Sequence, residues 1–484
     1  MSQPGALPLL GPGVLLEALT RLAREPGAHG ADELELSFEG GVLGTSRLAR
    51  SQLTQTGDVV ERMLRVRARV GDRVGAAHVA SLDDAPAAIA RAVEAARALA
   101  SLPGPAAPPL PEPTPPDPAG SPGATRLATA MARSFRGETA ELGAAGRADL
   151  ALRALAPVRA AGCNAAGVVA VAVREQAVAS TRGIKSYHRV TSAKLDVIAT
   201  RDDDDRATGR ASTVVHDASR LDAAVQAEHA AETARRSADA IVLPPGEYDV
   251  VLEPPAVAEL MEWLALASFG SQGFRDGSSC LCGRAGEQLC DPAITIYDDG
   301  LDPDPDALVT PTDPEGVRKQ RVVLIDAGRA GTPVLDTAGA VSLGHPASAA
   351  TGHAGALDDS WALGSVAQNL AMAAGEDSFD ALLGRVDRGL YIKRFHYVNG
   401  LLDTRRALMT GMTRSGCFLI EQGRVGAPVQ NLRWTQGILA ALGRVGGVTR
   451  QRRTVPVWWS AGGGILAPAL LLRRFRFTGA SSRD

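Results

Sequence analysis

The strongest constraint in this 484-residue chain is one break in its pattern. Residues 221–240 run as a single alanine-rich helix pattern, which stops at Leu243-Pro244-Pro245-Gly246. Neither proline donates a backbone hydrogen bond and each ring crowds the preceding turn, so no helix continues through them. Tyr248-Asp249-Val250-Val251-Leu252 then restarts as a strand and ends at Glu253-Pro254-Pro255. The break divides the chain into an N-terminal domain, residues 1–240, and a C-terminal domain, residues 241–484.

In the first domain, Leu15, Leu16, Leu19 and Leu22 recur at helical spacing and stop at Glu25-Pro26-Gly27. Leu34, Leu36 and Phe38 alternate as a strand, as do Leu64, Val66, Ala68 and Val70 beside arginines. These patterns predict antiparallel strands with one face in water. Residues 83–100 return to helix, with Asp83 or Asp84 as the cap. Residues 103–123 are rich in proline, which favours an extended, solvated linker between segments 1–102 and 124–240. Beyond it, residues 127–156 read as one or two helices, Gly167–Val173 and Ala177–Ser180 as a hairpin, and Ala193–Ala199 as a further strand. The run Asp202 to Asp205 fits a solvated hairpin tip. A second α/β unit therefore follows the first.

After residue 241, short strands alternate with turns such as Asp298-Asp299-Gly300 and Asp313-Pro314-Glu315-Gly316. The expected class is α+β: an N-terminal α/β domain with an antiparallel sheet and packed helices, then a β-rich C-terminal domain.

Composition narrows the function. Hydrophobic residues are 45% and charged residues 22%, the balance of a globular chain. Net charge is -3 and no arginine run is interleaved with aromatics, so nucleic acid is not an expected partner. No segment reaches eighteen uninterrupted apolar residues and Met1–Gly13 lacks a secretory pattern, so the expectation is a cytoplasmic protein with no membrane partner. Five cysteines, an odd number, suit reduced thiols better than a disulfide framework.

Several common catalytic motifs are absent. The chain has no G-x-x-x-x-G-K-[ST] loop and no G-x-S-x-G elbow. Cys280, Cys282 and Cys290 depart from the spacing with which paired thiolates hold zinc. His345, in Gly344-His345-Pro346, and His353, in Thr351-Gly352-His353, suit either a metal or hydrogen bonds to loop carbonyls. His396, between Phe395 and Tyr397, reads as a half-buried strand residue.

The order of segments resembles the TldD/PmbA family. Ala31-Asp32-Glu33-Leu34-Glu35, the strands around Leu64-Arg65-Val66-Arg67 and Val70-Gly71-Asp72-Arg73-Val74-Gly75, and Ser180-Thr181-Arg182-Gly183-Ile184 are similar to its first two segments. Leu243 to Pro254, Asp298-Asp299-Gly300, Thr312 to Val317, Arg388 to Ile392, Arg394 to Asn399, Thr410 to Gly416 and Phe418 to Glu421 are similar to its last domain.

The resemblance implies a peptidase assembly in which one subunit type carries H-E-x-x-x-H on a helix, two histidines holding zinc and the glutamate acting as base. Here that helix reads Met261-Glu262-Trp263-Leu264-Ala265-Leu266, so the ligand positions hold Met261 and Leu266 and only Glu262 remains. The chain thus resembles the TldE/PmbA-like subunit type. That type is expected to carry no cofactor of its own, zinc being held by a TldD-like partner with which it forms a dimer around an unfolded peptide. Two alternatives stay open: a peptidase with a different metal set drawn from His345, His353 and Cys417, or a homodimeric peptide-binding scaffold.

Overall fold

The computed structural model describes residues 9–24, 30–355, 364–458, 460 and 462–480. The N-terminal part contains the order helix, three strands, helix twice. The first copy is α1 (Gly11–Ala23), β1 (Glu33–Ala49), β2 (Gln52–Val70), β3 (Arg73–Val79) and α2 (Ala85–Ala100). After α3 (Pro122–Ser134) and the turn α4 (Gly137–Ala140) come α5 (Ala144–Ala160), β4 (Cys163–Ser180), β5 (Lys185–Arg201), β6 (Thr208–Val215) and α6 (Ala223–Arg236). Antiparallel pairing of β1 with β4 joins the two into one six-stranded sheet, order β3-β2-β1-β4-β5-β6. The second unit read from sequence is therefore half of one sheet.

The residues expected to form a hairpin at 167–180 lie within the single strand β4. The polar residues Arg174-Glu175-Gln176 make no turn because Glu175 and Gln176 have distant partners. The Glu175 carboxylate accepts from the Leu10 and Gly11 amides at 2.7 and 3.0 Å, capping α1. Gln176 donates to the Asp313 carbonyl at 2.6 Å, in the other domain.

One face of the sheet carries the helices. Leu34, Leu36, Phe38, Leu64, Val66 and Ala68 pack on α1 and α2, while Ala193, Leu195, Val197 and Ala199 pack on α5 and α6. Two glycines permit the close approach. A β-carbon on Gly75 would sit 2.0 Å from the Ala92 carbonyl oxygen, and one on Gly209 would sit 2.0 Å from that of Ala230.

The opposite, polar face was expected in water, and the structure covers much of it with the C-terminal domain. Arg67 bridges Glu35 to Glu315, and Thr312 bonds His188 and Ser186. The proline-rich segment is also held down. Ala107 donates to the Asp72 carbonyl, Leu110 to the Glu33 carboxylate, and Arg318 pairs with Asp117 at 2.7 Å. A segment read as a solvated linker is strapped to both domains.

The second domain begins with β7 (Gly246–Leu252) and α7 (Pro254–Leu264), and its thirteen-stranded sheet is organised by the long strand Gly464–Ala480. That strand pairs antiparallel with β7, Leu432–Gly437 and Val445–Pro456, and in parallel with Leu370–Met372. Its core holds the rings Phe395, Trp434 and Phe475 in mutual contact, Phe395 stacked on Phe475 and Trp434 edge-on to Phe475, so a chain poor in aromatics concentrates them here. Among the described residues, no helix is long and apolar enough to cross a membrane.

Candidate functional site

Helix α7 starts where the sequence demands. Glu253 is extended at the cap, and Pro254 and Pro255 occupy the first turn, where no amide donor is needed. Val257, Leu260, Met261 and Leu264 form its buried stripe, while Glu259 and Glu262 stand three residues apart on the other side. At Ala265–Phe269 the helix widens into a π turn.

The carboxylate side of α7 faces a cavity of about 460 Å³ between the two domains. Its N-terminal wall is the polar face of the sheet, with Lys194 and Asp196 from β5 and Arg210 from β6. The C-terminal wall brings Glu253, Glu259, Glu262, Lys393, Arg394 and Arg453. Most of these charges are paired. Arg210 chelates Asp196, with one bond of 2.7 Å. Arg394 lies 3.6 Å from Glu259. Glu253 accepts from the Tyr391 hydroxyl and has Lys393 and Arg453 each at 3.7 Å.

Burial dominates the titration of these groups. It pushes the Glu259 carboxyl up to about 7, with Arg394 opposing the shift and Glu262 adding to it. Burial lowers Lys194 against the favourable pull of Asp196. Because the folded Glu259 holds its proton more tightly than the unfolded chain does, its contribution is complete below about pH 4.5. It is lost as pH rises through about 7, a swing of about 3 kcal/mol. Glu259→Gln should flatten that loss. The check is the urea midpoint of both proteins at pH 5 and pH 8, where an unchanged pH response in the variant would exclude Glu259 as its source.

The positions named from sequence are dispersed. Met261 is 1% exposed within the apolar core, so its side chain points away from the cavity that Glu262 lines. Leu266 lies half-buried in the π turn and does not line the cavity. His345 is exposed, just beyond the helix Thr337–Ser342. His353 is fully buried, its Nε2 2.8 Å from Asp298 Oδ1 and its Nδ1 2.9 Å from Thr351 Oγ1. Burial lowers its pKa and keeps the ring neutral. Cys417 is buried at the start of the strand Cys417–Glu421, where burial pushes the thiol up to about 12.

The structure does not assemble His345, His353 and Cys417 into a metal site. Among the described residues, no three His, Cys, Asp or Glu side chains group to hold an ion. The residues present do not fit zinc: methionine and leucine stand at the expected ligand positions, and the one candidate thiol is protonated.

Lys194, Asp196, Arg210 and Glu259 were not singled out by sequence. The available signal was alternation. Lys194 and Asp196 interrupt the core series Ala193, Leu195, Val197, which marks the shared face of β5 without showing what covers it.

Comparison with known proteins accords with this architecture. A metalloprotease of Methanothermobacter thermautotrophicus is 26% identical over 207 residues, 42% of this chain and 43% of that protein. A metalloprotease TldD homolog of Haemophilus influenzae is 30% identical over 206 residues, 42% of this chain and 41% of that protein. The matched region thus spans less than half the length of either relative. The crystal structure of TldE from Thermococcus kodakarensis superposes with a TM-score of 0.80 at 20% identity, covering 96% of this chain and 100% of that one, a likeness of fold. Residues 245–479 match the PmbA/TldA metallopeptidase C-terminal domain, which places this part of the chain in the TldD/PmbA family, and the fold shared with TldE extends over the residues before it.

Proposed function

We propose that this chain is the non-catalytic subunit of a cytoplasmic TldD/PmbA-type peptidase, paired with a zinc-bearing relative and acting on unfolded peptides. The observation that supports this reading most is the state of α7. The helix expected to carry the zinc motif turns Met261 into the core and presents carboxylates, with no imidazole, to the cavity beside it. Carboxylates already engaged by arginine and lysine make a poor zinc site.

The chain purified alone should hold no stoichiometric zinc and should not cleave unfolded peptides. Chelator-sensitive cleavage by the single chain would sink the proposal. Mixing with a zinc-bearing relative should yield a stable mixed dimer, and recovery of self-pairs alone would favour the scaffold alternative.

Restoring histidines tests how far the site has departed from a metal centre. Met261→His with Leu266→His should bind zinc weakly and cleave nothing, because neither side chain lines the cavity and catalysis also needs groups that orient each imidazole. The imidazole at 261 should also cost about 2 kcal/mol through burial without a partner. Zinc content, peptide hydrolysis and the denaturation midpoint measure all three. Tight zinc with turnover would reveal a recently silenced peptidase.

A further inference from the structure

One long stretch of sheet edge in the N-terminal domain has no strand beside it. β2 pairs with β1 from end to end, but β3 covers only residues 64–70, so residues 52–62 keep one row of backbone donors and acceptors open. Among the described residues no other strand pairs there, and all of 52–62 are exposed. Native sheets blunt such edges, because an open one recruits another strand. In the second domain, the edge strand Arg424–Pro428 ends in proline, Phe395–Asp403 is broken by two register shifts, and Arg329–Ala330 is two residues long. Residues 52–62 contain no proline and no lysine, and beyond the bulge at Thr54 their register with β1 is unbroken.

The open edge is braced from behind. Arg147 of α5 donates to Asp58 at 2.6 Å, and Arg159 donates to the Ser51 carbonyl. The same stretch leaves Leu53, Val59 and Val60 at 36%, 55% and 44% exposure. β-branched and large apolar side chains stabilise a strand by packing on neighbours, and here the chain itself supplies few.

We propose that a second copy of this chain docks on this edge, the two β2 strands running antiparallel about a two-fold axis at Gly57 and joining two six-stranded sheets into one. A copy brings an open edge of the same length, and a two-fold axis lets the same patch serve both sides. About Gly57, Thr56 falls opposite Asp58, Gln55 opposite Val59, and the bulged Leu53 and Thr54 opposite Val60. The exposed leucine of each copy thus meets a valine of the other, and no like charges face one another. An axis at Asp58 would set two carboxylates directly opposite, which is destabilising, and one at Val59 would leave Leu53 without a partner. This contact is additional to the pairing with a zinc-bearing relative and does not rest on it.

Sedimentation equilibrium of the whole chain should show a monomer–dimer equilibrium with Kd of about 1–100 µM, since about 37 Å of paired strand makes less than a standard interface. Val59→Lys combined with Val60→Lys should weaken it roughly tenfold or more by placing like charges along the seam. Both side chains are exposed, so the denaturation midpoint should not move. Gly57→Cys tests the axis, because only a residue on the axis faces its own copy. A β-carbon there meets nothing within 4 Å, so the variant should fold normally. Oxidised glutathione should convert it to a disulfide-linked dimer and should not so convert Gln52→Cys or the unmodified chain.

A chain that stays monomeric to the top of that concentration range overturns the proposal and gives the edge to a different partner. A dimer that the two lysines leave intact overturns it as well, as does a Gly57→Cys chain that crosslinks no faster than the unmodified one. Sedimentation of the unmodified chain keeps the test decisive should a variant misfold. Zinc content and cleavage still judge the non-catalytic reading, so the two can fail separately.

Discussion

Arg67→Met should destabilise the chain by about 3–5 kcal/mol, because it strips the shared cation from two buried carboxylates. Arg67 donates Nε and Nη2 to Glu35 at 2.8 and 2.7 Å, and Nη1 to Glu315 at 2.8 Å. Both acids are nearly inaccessible, at 3% and 4% exposed. Glu315 is further committed, since its Oε2 accepts from the Thr337 amide and hydroxyl. Burial already raises Glu35 even with Arg67 in place.

Without the guanidinium, the two carboxylates would face each other across the domain boundary and one would have to take up a proton. The pKa of Glu35, already raised by burial, would rise further without its cation, so the deficit of the variant should be greatest at neutral pH and shrink as pH falls below the ordinary glutamate range. Denaturant midpoints at pH 7 and pH 4.5 measure it. Arg67→Met combined with Glu35→Met should recover part of the loss, as expected for interacting sites. A loss below about 1 kcal/mol would show that this bridge does not hold the domains together.

Lys319→Met should cost a similar amount, about 3–5 kcal/mol, by leaving Asp298 buried without its cation. Asp298 ends the strand Ile296–Asp298 and is 0% exposed. Lys319 lies 3.2 Å from its Oδ1, His353 lies 2.8 Å from the same oxygen, and the Asn369 amide donates to Oδ2 at 2.7 Å. Burial alone would raise this carboxyl, but Lys319, His353 and the amide hold it down at about 2.

The folded pKa is thus below the unfolded value of 3.8. The resulting stabilisation, about 2 kcal/mol, is present above pH 4 and lost as pH falls from about 4 to about 2. Lys319→Met should erase that acid dependence together with the stability, as an acid titration monitored by circular dichroism would show. An unchanged acid limb would mean that His353 and the amide suffice. The same geometry gives His353 its two partners, Asp298 and Thr351.

Much of the fold was legible in sequence. The Leu243–Gly246 break and the strand after it follow from local chemistry, because proline geometry acts within a few residues, whereas the helix after Pro255 was placed by the family resemblance. The core of β5 was legible for the same reason, since alternation shows which side chains share a face. That the motif helix lacks histidine is likewise a property of sequence alone.

Tertiary structure decided what each face meets. Arg67, His188, Lys194, Asp196 and Arg210 belong to the face expected in water, and the second domain turns them into bridges and a cavity wall. β4 runs through Arg174-Glu175-Gln176 because Glu175 caps a helix more than 160 residues earlier and Gln176 binds a carbonyl 137 residues later. On α7, local pattern did not show that Met261 would enter the core while Glu262 entered the cavity. Periodicity assigns residues to faces, but burial of a charged face depends on partners far away in the chain, and those partners meet only once the domains have packed.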